Sequence, residues 1–232
     1  MEGNKNVYSC LKGKNDELLA NASTLYMHSN DHVLDVTYGK GGFWKKIDLI
    51  GIRLVTNDLK ATADHNYDCR ALGFADATFD HTILDLPYMH DGATVMVRKQ
   101  YNNDVTTGKM NHEGIIRLYE AGMRECVRVT KPDGFIWVKI QDEIESGQQC
   151  WSHQQIELIA VKLGLTMKEM FILCNGSPHI QHHPQHHARR NHSYLMIFKK
   201  TNRSNRAEKF TEQLILEAAA EIQRRAGTIT AQ

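Results

Sequence analysis

Two short apolar segments of this chain each end in residues that could do chemistry. The first, residues 33–36, carries Asp35 and runs into a glycine-rich turn at residues 37–42. The second, residues 81–84, runs into Asp85-Leu86-Pro87-Tyr88. Ligands of open α/β sheets bind where strands end at their carboxyl edge. We therefore expect one crevice that holds a nucleotide-like cofactor on the first segment and a planar amine on the second.

The second of these strand ends could hold the exocyclic amine of a flat base. The carboxylate of Asp85 can accept one hydrogen bond, and the carbonyl of Leu86 can accept another because Pro87 keeps the preceding residue extended. The ring of Tyr88 offers a face for stacking, as in enzymes that act on flipped bases. No strong base is needed, since the proton leaves after the nitrogen has been alkylated. The alternative is a strand that simply ends in a proline turn.

The glycine-rich turn after the first strand predicts a cofactor site. Gly39, Gly41 and Gly42 let the backbone turn sharply and approach a ligand closely, with amides exposed at the start of the next segment. The glycine spacing is not that of a phosphate-binding loop. Asp35 ends a buried strand and needs polar partners there. An ammonium group or backbone amides would supply them.

Two further acids follow at later strand ends. Asp58 ends the strand predicted at residues 51–57, where nucleotide-binding folds place an acid against ribose hydroxyls. It could equally be the N-cap of a short helix. Asp68 lies before Gly73 in a loop where an acid could hold an adenine amino group, and a solvated loop acid is the alternative.

The order of elements predicts how these residues are positioned. Helices are predicted at residues 15–29, 42–50, 113–129, 153–163 and 206–225, and strands at 32–36, 51–57, 79–84, 135–140, 165–174 and 193–199, with a turn at 131–134. Strands that alternate with helices predict an α/β fold with a doubly wound, mostly parallel sheet. The last two strands have no helix between them and should be antiparallel.

The whole-chain properties favour a globular cytoplasmic protein. The chain has 232 residues, a formal net charge of +1 and 41% hydrophobic residues, and its five cysteines are scattered, as reduced thiols are. We find no membrane-spanning stretch and no apolar signal-peptide core, so no membrane partner is expected. We expect a catalytic domain over residues 1–200, with long loops at 89–111 and 175–192, and a C-terminal helical extension over residues 201–232.

The second long loop is rich in histidine. Its histidines are His179, His182, His183, His186, His187 and His192. Such tracts can bind zinc, but their spacing is not that of a known zinc finger, and we predict no metal. We expect the loop to lie over the cleft and to contact substrate through His187, Arg189, Arg190 and Asn191. The C-terminal helix would pack on its own domain, form a homodimer or bind a partner subunit.

These motifs resemble those of the S-adenosylmethionine-dependent amino-methyltransferases that methylate adenine N6 or cytosine N4 in DNA. Residues 33–42 resemble the cofactor motif of that family, and residues 85–88 resemble its D-P-P-Y motif. Residues 125–135 and 191–200 resemble its helix–turn–strand and its late strand. The similarity covers residues 31–200. It implies a Rossmann-like class I methyltransferase fold, with a seven-stranded sheet whose last strand is antiparallel.

The resemblance also implies residue roles. The cofactor S-adenosyl-L-methionine would be held by Asp35, Thr37, Tyr38, Gly39 and Gly41 at its amino-acid part, by Asp58 at the ribose and by Asp68 at the adenine. The catalytic residues would be Asp85, Leu86, Pro87 and Tyr88. Leu86 stands where the family has proline, which keeps the carbonyl acceptor but removes stiffness from the loop. Thr37 and Tyr38 stand where phenylalanine is commoner.

The implied activity is methyl transfer to a base amine, with DNA as the favoured partner. RNA is an alternative substrate, because we find no segment large enough for a separate target-recognition domain. Methylation of a protein amide is a second alternative, but enzymes of that kind usually carry asparagine where this chain has Asp85. A non-catalytic regulator is a third, supported only by Leu86.

Overall fold

The computed structural model describes residues 6–88, 110–174, 186–188, 190–201, 213–218 and 220. The chain divides into two units, Met1–Lys200 and Thr201–Gln232. In the second unit, residues 213–218 and 220 are helical, and the rest of the helix predicted at 206–225 lies outside the described residues. Within the described ranges, no helix is both long enough and apolar enough to cross a membrane.

The first unit alternates strands and helices along the chain. Its elements are β1 (Cys10–Lys12), α1 (Asn15–Tyr26), β2 (His32–Asp35), β3 (Arg53–Thr56), β4 (Phe79–Leu84), α2 (His112–Val129), β5 (Thr130–Ile140), β6 (Glu143–Glu145), β7 (Gln148–Cys150), α3 (Ser152–Lys162), β8 (Leu165–Cys174) and β9 (His192–Lys200).

Seven of these strands form one sheet in the order β1-β8-β9-β5-β4-β2-β3. The neighbours β1 and β8, β5 and β4, β4 and β2, and β2 and β3 are parallel. Strand β9 is antiparallel to both β5 and β8. The predicted mostly parallel sheet of seven strands, with its last strand antiparallel, is confirmed.

Successive strand residues pack into two cores, one on each face of the sheet. Val33 and Ile83 lie in the core that includes helix α1. Their neighbours Leu34 and Leu84 lie in the core that includes helices α2 and α3. Side chains alternate between the faces of a strand, so a sheet covered on both faces needs continuously apolar strands. That requirement explains why a charged residue within such a strand is unusual.

The helix predicted at residues 42–50 is wrong. The structure has only a 3-10 turn at Gly42–Trp44, followed by further turns. Phe43 and Trp44 are buried, and the indole of Trp44 donates a hydrogen bond to Asp35 at the end of β2. The following Leu49 and Ile50 are exposed. The segment therefore has no continuous apolar face with which to stabilise a helix.

The turn predicted at residues 131–134 lies inside strand β5 instead. Asp133 has a positive φ of 63°, and the pairing of β4 with β5 shifts register between Phe79 and His81. A Cβ atom on Gly134 would lie 2.7 Å from the carbonyl oxygen of Asp80. The turn-like residues thus form an irregularity within the strand, as a β-bulge does, and the strand continues through it.

Sequence reasoning missed the edge strand β1 and the β6–β7 hairpin. The hairpin is antiparallel and reaches the start of α2. There, His112 contacts Glu143 between Nδ1 and Oε1 at 2.6 Å. Its Nε2 atom contacts Gln155 Oε1 of α3, also at 2.6 Å. One buried histidine thus joins the hairpin to two helices.

The loop between β3 and β4 is anchored by Arg128 of α2. The guanidinium of Arg128 donates to the carbonyl oxygens of Phe74 and Leu72, at 2.8 and 2.7 Å. It also pairs with Asp76 and Glu125. This arginine therefore fixes the second half of the loop that carries Asp68.

We expect Arg128→Met to lower the free energy of unfolding by about 2 kcal/mol, because charge-assisted hydrogen bonds to the loop are lost together. Urea denaturation at neutral pH measures the change. The control is Arg117→Met on the same helix, since Arg117 forms an exposed pair with Glu113. Such a pair contributes less than about 0.5 kcal/mol. Equal effects of the two substitutions would contradict the anchoring role of Arg128.

Candidate active site

Four neighbouring strands bring four charged side chains to one edge of the sheet. Asp35 is the last residue of β2, Asp58 follows β3, Asp85 follows β4, and Lys139 is the penultimate residue of β5. These strands are parallel and adjacent in the order β5-β4-β2-β3. The residues predicted for the cofactor and those predicted for the amine therefore lie side by side at the carboxyl edge.

The carboxylate of Asp35 is buried and has two internal donors. Its Oδ1 accepts a hydrogen bond from the Thr37 amide at 3.0 Å, and its Oδ2 accepts one from the Trp44 indole at 2.7 Å. Burial raises the pKa of Asp35 to about 7, against the effect of these two donors, and the charges of Asp85 and Asp58 raise it further. Backbone amides were an expected partner, whereas the indole was not.

The glycine-rich turn adopts conformations that favour glycine. Gly39 and Gly41 have φ angles of 56° and 69°, in the left-handed region. The Gly39 amide donates to Asp58 Oδ2 at 2.9 Å, and the Tyr38 amide donates to the Asn57 carbonyl at 3.0 Å. The turn is thereby tied to the end of β3. A Cβ atom on Gly39 would have only the Thr37 carbonyl oxygen nearby, at 3.9 Å, so space is open there.

Asp58 also caps a turn, although no helix follows it. Its Oδ1 accepts hydrogen bonds from the amides of Lys60 and Ala61 at 2.9 and 2.7 Å. Asp68 is paired with Arg70 through both of its carboxylate oxygens, at 2.9 and 2.6 Å. The hydrogen bonds from Arg70 lower the pKa of Asp68. Any ligand amine that reached Asp68 would have to share that carboxylate with Arg70.

Asp85 has a buried carboxylate oxygen that is ready to accept a donor. Its Oδ1 is shielded from solvent and has no hydrogen-bond partner among the residues that the structure describes. Burial raises the pKa of Asp85 to about 6, against the opposing effect of the positive charge on Lys139. The backbone amide of Asp85 donates to Thr37 Oγ1 at 2.8 Å. Thr37 thus connects the glycine-rich turn to the residues that follow β4.

The carbonyl of Leu86 is already engaged on one side. Tyr119, buried on α2, donates its hydroxyl to the Leu86 oxygen at 2.8 Å and lies 2.7 Å from the Lys139 oxygen. A carbonyl oxygen has two lone pairs, so Leu86 can still accept a second donor. Sequence reasoning missed Tyr119, which fixes the loop at the position where the family resemblance expects a stiffening proline. No peptide bond in the described part of the chain is cis.

Tyr88 and Lys139 lie together beside Asp85. The Lys139 Nζ atom is 5.6 Å from the centroid of the Tyr88 ring, within the range of a cation–π contact. Sequence reasoning also missed Lys139. Its signal was a single charge in the apolar run Phe135-Ile136-Trp137-Val138-Lys139-Ile140.

The residues predicted to contact substrate from the histidine-rich loop are only partly described. Arg189 and residues 175–185 lie outside the described residues, whereas His187 and Asn191 are exposed. The guanidinium of Arg190 lies 5.7 Å from the ring centroid of Trp151, which is 49% exposed. Among the side chains that the structure describes, no group of three or more His, Cys, Asp or Glu residues could hold a metal ion.

Comparison with known proteins identifies the family. A family model described as DNA methylase matches residues 79–227. A search of curated proteins finds no match.

Among solved structures, a putative methyltransferase from Bacillus halodurans is similar to this chain, with 12% identity, a TM-score of 0.53, and coverage of 79% of this chain and 99% of that one. An S-adenosylmethionine-dependent methyltransferase from Methanosarcina mazei matches with 9% identity, coverage of 78% and 97%, and a TM-score of 0.47. A putative DNA modification methylase from Thermus thermophilus, complexed with S-adenosyl-L-methionine, matches with 16% identity, coverage of 75% and 58%, and a TM-score of 0.42.

The Bacillus halodurans structure shows that the fold is that of a class I methyltransferase. The family match covers more than half of the 232 residues. This chain therefore belongs to the DNA methylase family, as an S-adenosylmethionine-dependent methyltransferase that acts on DNA bases.

Proposed function

We propose that the protein methylates an exocyclic amino nitrogen in DNA, either adenine N6 or cytosine N4. One observation carries this proposal: the buried Oδ1 of Asp85 has no hydrogen-bond partner among the described residues. An exocyclic amine presents two N–H donors, and the loop after β4 presents two acceptors, Asp85 Oδ1 and the second lone pair of the Leu86 carbonyl. The Tyr88 ring beside them supplies a stacking face for the base.

The charges at the sheet edge fit S-adenosyl-L-methionine, which carries a sulfonium and an ammonium. Three carboxylates meet there, those of Asp35, Asp58 and Asp85, and Lys139 is the single buried ammonium among the described residues. In this proposal Asp35 and residues 37–41 hold the amino-acid part of the cofactor. Asp58 holds its ribose hydroxyls and Asp68 its adenine amine. The cofactor supplies a methyl group activated by its bond to positively charged sulfur.

The protein's own part in the reaction is to orient the amine and to accept a proton. Asp85 Oδ1 and the Leu86 carbonyl accept the two N–H bonds, which directs the nitrogen lone pair away from them. When the nitrogen has taken the methyl group it is positively charged, and it then releases a proton. A carboxylate whose pKa is raised to about 6 can take up that proton and return it to solvent near neutral pH.

The start of β9 provides the proposed contact with the DNA strand. His187, Arg189, Arg190 and Asn191 precede β9, and Ser193 of β9 contacts Lys139 at the active edge. Arg190 is suited to a phosphate, and the exposed ring of Trp151 beside it is suited to a base. The C-terminal helix, with Leu214 and Leu216 exposed, is proposed to contact a second copy of the chain or a partner subunit.

Replacement of Asp85 tests the proposed function most simply. We expect Asp85→Ala to lower methyl transfer to duplex DNA by at least about 100-fold, because the amine loses its charged acceptor. Transfer is measured with cofactor labelled on its methyl group, and cofactor affinity by calorimetry. The Kd for the cofactor should stay within about threefold, since in this proposal Asp35 and Asp58 contact the cofactor and Asp85 contacts the amine. Glu113→Ala, which removes an exposed carboxylate on α2, is the control. Normal turnover by the Asp85 variant would refute the mechanism.

The rate should depend on pH through Asp85. The carboxylate accepts from the amine more strongly than the protonated acid and is the form that can take up a proton, so we expect kcat to fall as the pH is lowered through about 6. Saturating cofactor keeps the ionisation of Asp35 out of the measurement. Asp85→Asn keeps an oxygen acceptor but cannot titrate, and its residual rate should stay level on both sides of that pH. The fall of kcat at low pH is the acid limb of the profile. If this limb persists in the Asp85→Asn variant, it must be assigned to the titration of another group.

Cofactor affinity should depend on Trp44. We expect Trp44→Phe to raise the Kd for S-adenosylmethionine about tenfold, because Asp35 loses the donor on Oδ2 and its carboxylate is stabilised less. Calorimetry at a slightly alkaline pH measures the change. Trp151→Phe is the matched control, because Trp151 makes no contact with Asp35, and its Kd should equal that of the wild type. An unchanged Kd for Trp44→Phe would separate the indole from cofactor binding.

A further inference from the structure

Lys139 is the only buried lysine among the residues that the structure describes, and it is 1% exposed. Burial of an ammonium costs free energy unless nearby groups compensate. The proposed transfer reaction assigns no role to Lys139. Three features of its surroundings indicate what its role is.

The first feature is its hydrogen bond. Lys139 Nζ donates to Ser193 Oγ at 2.7 Å. Ser193 lies on β9, which is antiparallel to β5, while Asp85 lies beyond β4 on the other side. The hydrogen bond therefore joins Lys139 to the strand on the side away from Asp85, and Asp85 Oδ1 has no partner within the described ranges of the chain.

The second feature is the charge around Asp85. From β2 it interacts with the carboxylate of Asp35, and from β5 it interacts with Lys139. On α2 the neighbour of this loop is the neutral hydroxyl of Tyr119, and on the loop itself it is the ring of Tyr88. Lys139 is thus the one positive charge among these described neighbours, and it opposes the negative charge of Asp35.

The third feature is mutual stabilisation of charge. Burial lowers the pKa of Lys139 to about 8, and the negative charge of Asp85 acts against that fall. Lys139 in turn acts against the rise in the pKa of Asp85. Near neutral pH the two groups therefore coexist as ammonium and carboxylate.

We propose that Lys139 is a positioning residue for Asp85: its charge keeps the Asp85 carboxylate ionised, and its hydrogen bond to Ser193 keeps Oδ1 open for the target amine. This inference rests on the proposed function, since it assigns Asp85 to the amine. Direct pairing of Lys139 with Asp85 would also keep the carboxylate ionised, but it would occupy the acceptor. By accepting the hydrogen bond from Lys139, Ser193 therefore leaves the Asp85 carboxylate available to the target amine.

The pH profile of Lys139→Met tests this role. Loss of an opposite charge raises the pKa of a carboxylate by about one unit or more, so the acid limb of kcat should move upward by about one pH unit. The variant should transfer about tenfold less methyl than the wild type on the acid side of the limb, and approach the wild-type rate at alkaline pH. A purely structural role would change the rate without moving the limb.

Lys200→Met is the matched control. Lys200 lies on β9, next to β5, and is partly buried like few other lysines in the described ranges, but it donates to the carbonyl oxygens of Val127 and Thr130. Its loss should leave the acid limb in place. An acid limb that stays at its wild-type position in Lys139→Met, or that moves equally in Lys200→Met, would overturn the proposal.

Two further measurements keep the test independent of folding and of turnover. Ser193→Ala retains the charge of Lys139 but frees its ammonium to reach Oδ1. We expect kcat to fall, while the acid limb stays at its wild-type pH or moves to a lower pH. A wild-type kcat in this variant would overturn the role of the hydrogen bond. The carbon NMR shift of the Asp85 carboxyl, followed against pH in wild type and Lys139→Met, reports the same titration without substrate. A shifted titration with no methylation of DNA would retain the link between Lys139 and Asp85 and refute the proposed function alone.

Discussion

The proposed mechanism depends on one constraint, that the Asp85 carboxylate is buried and ionised while one of its oxygens has no partner in the described part of the chain. Burial makes that oxygen a strong acceptor but favours its protonation, so a nearby positive charge is needed. The surrounding hydrogen bonds satisfy this constraint. Thr37 Oγ1 accepts from the Asp85 backbone amide, the Tyr119 hydroxyl donates to the Leu86 carbonyl, and Ser193 Oγ accepts from the Lys139 ammonium. The loop is thereby held in place without use of the oxygen that is proposed to accept the target amine.

The same contacts connect the two halves of the site. Thr37 donates its amide to Asp35 and accepts the Asp85 amide with its hydroxyl. The proposed cofactor turn and the proposed amine site therefore share one residue. A parallel sheet allows one residue to serve both sites, because adjacent strands end at the same edge and a single side chain can reach from one to the next. The charges of Asp35 and Asp85 also affect each other directly, since Asp85 helps to raise the pKa of Asp35.

The sequence was sufficient to predict the features that depend on local residue patterns, which are the strands and the acids at their ends. Apolar runs with short turns gave the bounds of β4 and β8, and the acids at strand ends could be placed because all parallel strands end together. The predicted helix at 42–50 failed because the contact between Trp44 and Asp35 competes with helix formation. Lys139, Tyr119 and Ser193 were missed for a similar reason. Their contacts join elements far apart in the chain, and only Lys139 gave a warning, as a charge inside an apolar strand.

The most direct test is to identify the base that is modified. Purified protein, labelled S-adenosylmethionine and unmethylated duplex DNA are incubated together, with single-stranded DNA and bulk RNA in parallel, and the nucleic acids are then digested to nucleosides. The proposed mechanism predicts label in N6-methyladenine or N4-methylcytosine from DNA. Label at a ring carbon, as in C5-methylcytosine, would contradict the amine mechanism, and label found only in RNA would contradict DNA as the substrate.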